Sequence, residues 1–140
     1  VYRTADLQAL SKTCDALGLY LFMDGARLGC ALTASDNDVS FADLCKYIDV
    51  FSIGGTKNGA LLGEAVVIVN EQLKRDFRYM IKQRGGMLAK GWLLGLQFLS
   101  LFEDDQYRKI ADHAIVGIHY LPNHPRIRYL SFYRTRLSKN

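Results

Sequence analysis

Two observations predict an α/β fold with a mixed sheet. Three short, unbroken apolar runs at 19–23, 49–53 and 65–69 have the length of buried strands, and stretches with helical recurrence of apolar residues lie around them. The glycine-rich connection between the second and third runs is shorter than the dozen or so residues that a parallel crossover needs. The third strand is therefore expected to return antiparallel to the second.

Composition bounds the rest. At 140 residues, 49% of them hydrophobic, the chain can bury the core of one domain. Its longest apolar run, 92–102, is interrupted by Gln97 and is too short for a bilayer, and no charge-then-apolar export signal opens the chain. The expectation is a soluble protein with no membrane partner. Cys14, Cys30 and Cys45 are odd in number, lack C-x-x-C spacing and have apolar neighbours, which predicts buried free thiols, a cytoplasmic location and no metal site. The chain opens on Val1 inside the approach to a helix, so a fragment is expected. Of its eighteen bases, Arg126, Arg128, Arg134, Arg136 and Lys139 fall in 121–140 with no acid beside them. That leaves thirteen bases against fourteen acids in the first 120 residues. No nucleic-acid motif accompanies the basic, aromatic tail, and solvated surface is the better reading of its charge.

Taken in order, Thr4 is placed to cap a helix in which Leu7, Leu10, Cys14 and Leu17 recur at near-helical spacing, and Gly18 is placed to stop it. The run at 19–23, "LYLFM", reads as a strand buried on both faces that ends at Asp24, and "DGARLG" reads as a loop. Ser40 and Asp43 have capping-box spacing and open a short helix through Tyr47. Strands at 49–53 and 65–69 follow. Helices are expected at 71–82 and 87–102, the second apolar on most faces and hence central to packing.

This order puts Asp24 at the carboxyl end of one strand and Lys57 just beyond the carboxyl end of the next, where open α/β sheets bind ligands. Acids and lysines also punctuate ordinary loops. Here Asp24 is followed by Gly25, Ala26 and Arg27, and Lys57 stands among glycines that allow close backbone approach to a ligand. The G-x-x-x-x-G-K-[ST] phosphate loop is absent.

"LFMDGARLG", then "DVFSIGGTKNGALLGEAVVI", then "RYMIKQRGGMLAKG" carry a resemblance. In order and spacing they resemble the threonine aldolases of the beta-eliminating lyase superfamily, of pyridoxal phosphate fold type I. The resemblance implies that residues 1–114 are a central part of the large, cofactor-binding domain, and that 115–140 are a basic tail outside the family pattern. It implies pyridoxal 5'-phosphate as cofactor, with Lys57 as the catalytic residue that binds it covalently through a Schiff base, which needs a neutral amine. Asp24 matches the aspartate that keeps the pyridine nitrogen protonated, and Arg27 matches an arginine beside the cofactor that orients the substrate carboxylate. For Arg27 a loop salt bridge is an equal alternative. The implied reaction is cleavage of the Cα–Cβ bond of a β-hydroxy-α-amino acid, threonine giving glycine and acetaldehyde, in a homo-oligomeric parent.

The same resemblance marks departures. His113, His119 and His124 lie late in the chain, whereas the family's stacking histidine and its glycine- and serine-rich phosphate loop belong to a segment upstream of Val1. Leu88 stands where many relatives have arginine, with Arg84 or Lys90 as possible substitutes. The tail arginines match no substrate-binding position. The chain alone is thus expected to capture cofactor weakly and turn over negligibly. A non-catalytic remnant, another beta-eliminating lyase, and a binding module acting through the tail stay open as alternatives.

Overall fold

The computed structural model describes residues 2–120. In chain order its elements are α1 (Thr4–Ala16), β1 (Phe22–Met23), α2 (Leu28–Thr33), α3 (Phe41–Tyr47), β2 (Val50–Gly54), β3 (Glu64–Ile68), α4 (Phe77–Gln83), α5 (Trp92–Phe102) and α6 (Gln106–Tyr120). Short 3₁₀ turns lie at Glu71–Leu73 and Glu103–Asp105. The sheet order is β1-β2-β3, with β1 parallel to β2 and β3 antiparallel to it, as expected. Residues Phe51 to Gly54 of the central strand are all buried. Around them the core gathers Leu28, Leu44, Ile48, Ile53, Leu101 and Tyr107 from the helices and the middle strand.

The first run forms less strand than its composition predicts. Only Phe22 and Met23 pair with β2, and Leu19, Tyr20 and Phe22 are 57%, 57% and 61% exposed rather than buried on both faces. The physical reason is position: β1 is the sheet edge among the described residues, and Asp49 replaces the ladder at its start. The Leu21 N–H donates to Asp49 Oδ2 at 2.8 Å, and Asn70 Nδ2 donates to Asp49 Oδ1 at 2.8 Å.

Helix ends follow local chemistry where the chain is left to itself. Ser40 caps α3: its amide donates to Asp43 Oδ2 and its Oγ accepts from the Asp43 N–H, the expected reciprocal box. Gly18 ends α1 with φ +65°, the Leu19 N–H reaching back to the Cys14 carbonyl. Thr4 does not cap α1. Its N–H and Oγ1 donate instead to Asp38, 34 residues away, and Arg3 takes the cap position with its N–H on Asp6.

The carboxyl half differs more. The helix expected at 71–82 is broken by Asp76 in left-handed backbone (φ 57°), and the one expected at 87–102 begins only at Trp92. α2 and α6 were not expected as helices, and α6 runs through residue 114 without a break. Asp104 and Asp105, also left-handed, turn the chain between α5 and α6. Among the described residues α5 is not central to packing. Leu101 alone on it is buried, while Trp92 and Leu99 are each 65% exposed, because no described element covers that face.

The cysteines are free, but the expectation that they are buried is corrected: Cys14 and Cys30 are partly buried and Cys45, on the outer side of α3, is exposed. Thiol titration of the native chain is therefore expected to find one fast-reacting sulfur, at Cys45, with Cys14 and Cys30 slower. Equal rates at all three would contradict this packing. No helix among the described residues is long and apolar enough to cross a membrane.

Candidate functional site

The carboxyl edge of the parallel pair β1–β2 is built on two glycines. Gly25 lies so close to β2 that a Cβ on it would stand 1.8 Å from the Ser52 carbonyl oxygen; one on Gly54 would stand 2.4 Å from the Ala26 carbonyl oxygen. Two hydrogen bonds hold this approach, Gly25 N–H to Ser52 Oγ and Gly54 N–H to the Gly25 carbonyl, and a third, Leu28 N–H to the same carbonyl, closes the loop on itself, each 2.9 Å. Close approach by two backbones needs residues without side chains. The loop from Asp24 to Arg27 is thereby pinned beside the end of β2, three residues before Lys57.

Lys57 sits in the turn that follows. The Gly55 carbonyl accepts from the Asn58 N–H at 2.8 Å and the Ala60 N–H at 3.0 Å, and Gly59 takes φ +104°. The glycines here were expected to admit a ligand. Gly54 and Gly55 instead admit the chain itself, since a Cβ on Gly55 would meet Ala60, Gly63 and Phe98. Beyond the turn, Gln97 of α5 holds the strand entry, its Oε1 accepting from the Leu61 N–H at 2.7 Å.

Asp24, Arg27 and Lys57 are all exposed. Asp24 Oδ1 accepts from the Ala26 N–H at 2.9 Å, which fixes the carboxylate on its own loop, and its second oxygen accepts nothing among the described residues. None of the three joins an ion pair among the described residues. Asp24 and Arg27 border a cavity of about 240 Å³ lined mainly by apolar side chains such as Leu7, Leu28, Leu32 and Leu44; Lys57 is not part of its lining. Thus one sheet edge presents an anchored carboxylate with a free oxygen and an amine on a tight turn.

Sequence reasoning missed the residues that assemble this edge. Tyr107 of α6 is 1% exposed; its hydroxyl donates to the Gly54 carbonyl at 3.0 Å and accepts from the Gly29 N–H at 3.2 Å. Asn58, 4% exposed beside Lys57, donates through Nδ2 to the Tyr107 carbonyl at 2.6 Å. Burial pushes the Tyr107 phenol above its ordinary value, so it stays neutral and remains both donor and acceptor. Its contribution to stability is whole below the unfolded value near pH 10 and is lost as pH rises through the raised one. Ser52 could have been found as a polar residue inside an apolar run. Nothing local marks Tyr107, whose partners lie 53 and 78 positions away.

The other residues singled out lie apart from this edge. His113 is exposed on α6, and Arg84, Leu88 and Lys90 are exposed near the end of α4 and before α5. The side chain of His119, and His124 with the basic tail, fall outside the described residues.

Comparison with known proteins gives a consistent set. A family model described as Beta-eliminating lyase matches residues 1–122. A low specificity L-threonine aldolase of Pseudomonas aeruginosa is 42% identical over 117 residues, 81% of this chain and 33% of the relative. Another, from a Pseudomonas species, is 40% identical over 114 residues with the same coverage. A solved structure of Leishmania major threonine aldolase superposes with TM-score 0.85 at 43% identity, covering 87% of this chain and 36% of that one. The chain spans about a third of the length of each of these relatives.

Proposed function

The chain belongs to the beta-eliminating lyase family, and on that premise we propose that it forms part of the large domain of a pyridoxal-phosphate-dependent lyase of amino acid metabolism. The reaction is cleavage of the Cα–Cβ bond of a β-hydroxy-α-amino acid, threonine yielding glycine and acetaldehyde. Named relatives that are threonine aldolases favour this over other eliminating lyases. What supports the reading is that Asp24 follows β1 and Lys57 follows β2, parallel neighbours whose carboxyl ends are tied by the Gly25–Ser52 and Gly54–Gly25 hydrogen bonds.

When bound, pyridoxal phosphate supplies an electron sink for the carbon whose bond breaks. Lys57, exposed on its turn, would offer the amine that holds the cofactor. Asp24 would keep a proton on the ring nitrogen, and the Ala26 N–H on its Oδ1 keeps the carboxylate in place. Arg27, at the start of α2, receives the substrate carboxylate in its planar fork. The β-hydroxyl proton goes to a base that none of the described residues is assigned to be. A cytoplasmic, homo-oligomeric protein fits this reading, and the three free thiols agree with a reducing compartment.

Incubation of the chain with pyridoxal phosphate, then borohydride, then peptide mapping tests the proposal. Lys57 is expected to carry most of the label. Label spread over Lys12, Lys46, Lys74 and the other exposed lysines in proportion to exposure would refute it.

A further inference from the structure

We propose that Tyr107 is the positioning residue of this edge: it ties the start of α2, just after Arg27, to both ends of the segment carrying Lys57, and so sets where amine and guanidinium stand. The inference rests on the cofactor reading above for its chemical meaning. Its geometry stands without it.

Three bonds from one residue carry it. The hydroxyl accepts from the Gly29 N–H, a donor in the first turn of α2 that the helix itself leaves unpaired, and donates to the carbonyl of Gly54, the last residue of β2. The backbone carbonyl accepts from Asn58 Nδ2. Gly54 precedes Lys57 by three residues and Asn58 follows it directly, so the lysine is fastened on both sides to one point on α6. The third segment is locked in as well, because a Cβ on Gly29 would stand 2.7 Å from Asn58 Oδ1. A core tyrosine needs none of this. Ring burial and stacking on Phe102, with centroids 5.2 Å apart, are available equally to phenylalanine. What phenylalanine lacks is the hydroxyl that hydrogen-bonds both α2 and β2, and burial keeps it neutral for both bonds.

Tyr107→Phe separates the roles, since it keeps ring, stacking and the Asn58 bond and removes one oxygen. Two measurements on the folded variant decide the matter. In the first, the ratio of borohydride-trapped pyridoxal phosphate at Lys57 to that at the distant exposed Lys12 is expected to fall about tenfold. In the second, without cofactor, amide hydrogen exchange is expected to rise about tenfold in 27–30 and 54–60 while α3 is unchanged. A trapping ratio within twofold of the starting chain, or exchange that rises uniformly, would overturn the proposal and leave Tyr107 as core. Should the unaltered chain show no preference for Lys57, the cofactor reading fails and the exchange measurement alone decides positioning. Should Tyr107→Phe not fold, Asn58→Ala cuts the other tie and keeps both hydroxyl bonds, so the trapping ratio is expected to fall and exchange to rise about tenfold in 54–60 with 27–30 and α3 unchanged; a ratio within twofold or a uniform rise in exchange would overturn the proposal.

Discussion

Gly25→Ala is expected to destabilise the chain by about 3 kcal/mol or more, a large part of the stability of a domain this size. The added methyl would stand 1.8 Å from the Ser52 carbonyl oxygen and 2.9 Å from its carbon, which are backbone atoms of the central strand and cannot swing aside. Relief requires β1 and its loop to move away from β2. That motion breaks the two bonds that tie Gly25 to β2, its N–H to Ser52 Oγ and the Gly54 N–H to its carbonyl. Overpacking alone costs about 1–3 kcal/mol and each lost hydrogen bond about 0.5–1.5 kcal/mol. A urea midpoint unchanged from the unaltered chain would show that this approach does not hold the edge together. By contrast Gly85, with no neighbour within 4 Å of its would-be Cβ, offers a matched position where the strain is in its φ of +74° alone.

Lys57→Ala is expected to abolish covalent capture of pyridoxal phosphate at this position while leaving the fold intact. Lys57 is exposed and makes no ion pair among the described residues, so its truncation should change stability by no more than about 0.5 kcal/mol. Loss of label then reports chemistry rather than unfolding. Any cofactor-dependent exchange of the glycine Cα proton into deuterated water should fall to the level of free pyridoxal phosphate, because a covalent member of the catalytic unit is gone. Asp24→Asn makes the contrast. Asparagine retains an oxygen for the Ala26 N–H and hence the loop, but not the charge that keeps the ring nitrogen protonated. Label at Lys57 should persist, while any exchange above the free-cofactor level should be lost, as when a preorganised electrostatic group is removed. Undiminished labelling of Lys57→Ala chain at a single other lysine would move the attachment point elsewhere.

The candidate site was legible in part because its chemistry is local. Asp24 stands where an apolar run stops and Lys57 in the glycine-rich turn after the next, and a charge in such a place is visible in any reading of polarity. The supporting residues were not legible for the opposite reason. Gly25 looks like any loop glycine until Ser52 is seen against it, and Tyr107 like any helix aromatic until its hydroxyl is found between Gly29 and Gly54.

What the sequence determined by itself is what short-range physics controls: the Ser40–Asp43 box, the stop at Gly18, the buried central strand and the antiparallel return forced by a short connection. Tertiary structure alone decided the rest. Thr4 was drawn from capping to Asp38, and α5, apolar on most faces, was left with Trp92 and Leu99 in the open. A cap or a tight turn is settled by groups within four residues of one another. Whether an apolar side chain is covered, or a hydroxyl finds two partners, depends on which distant segments arrive, and no periodicity in the chain encodes that arrival.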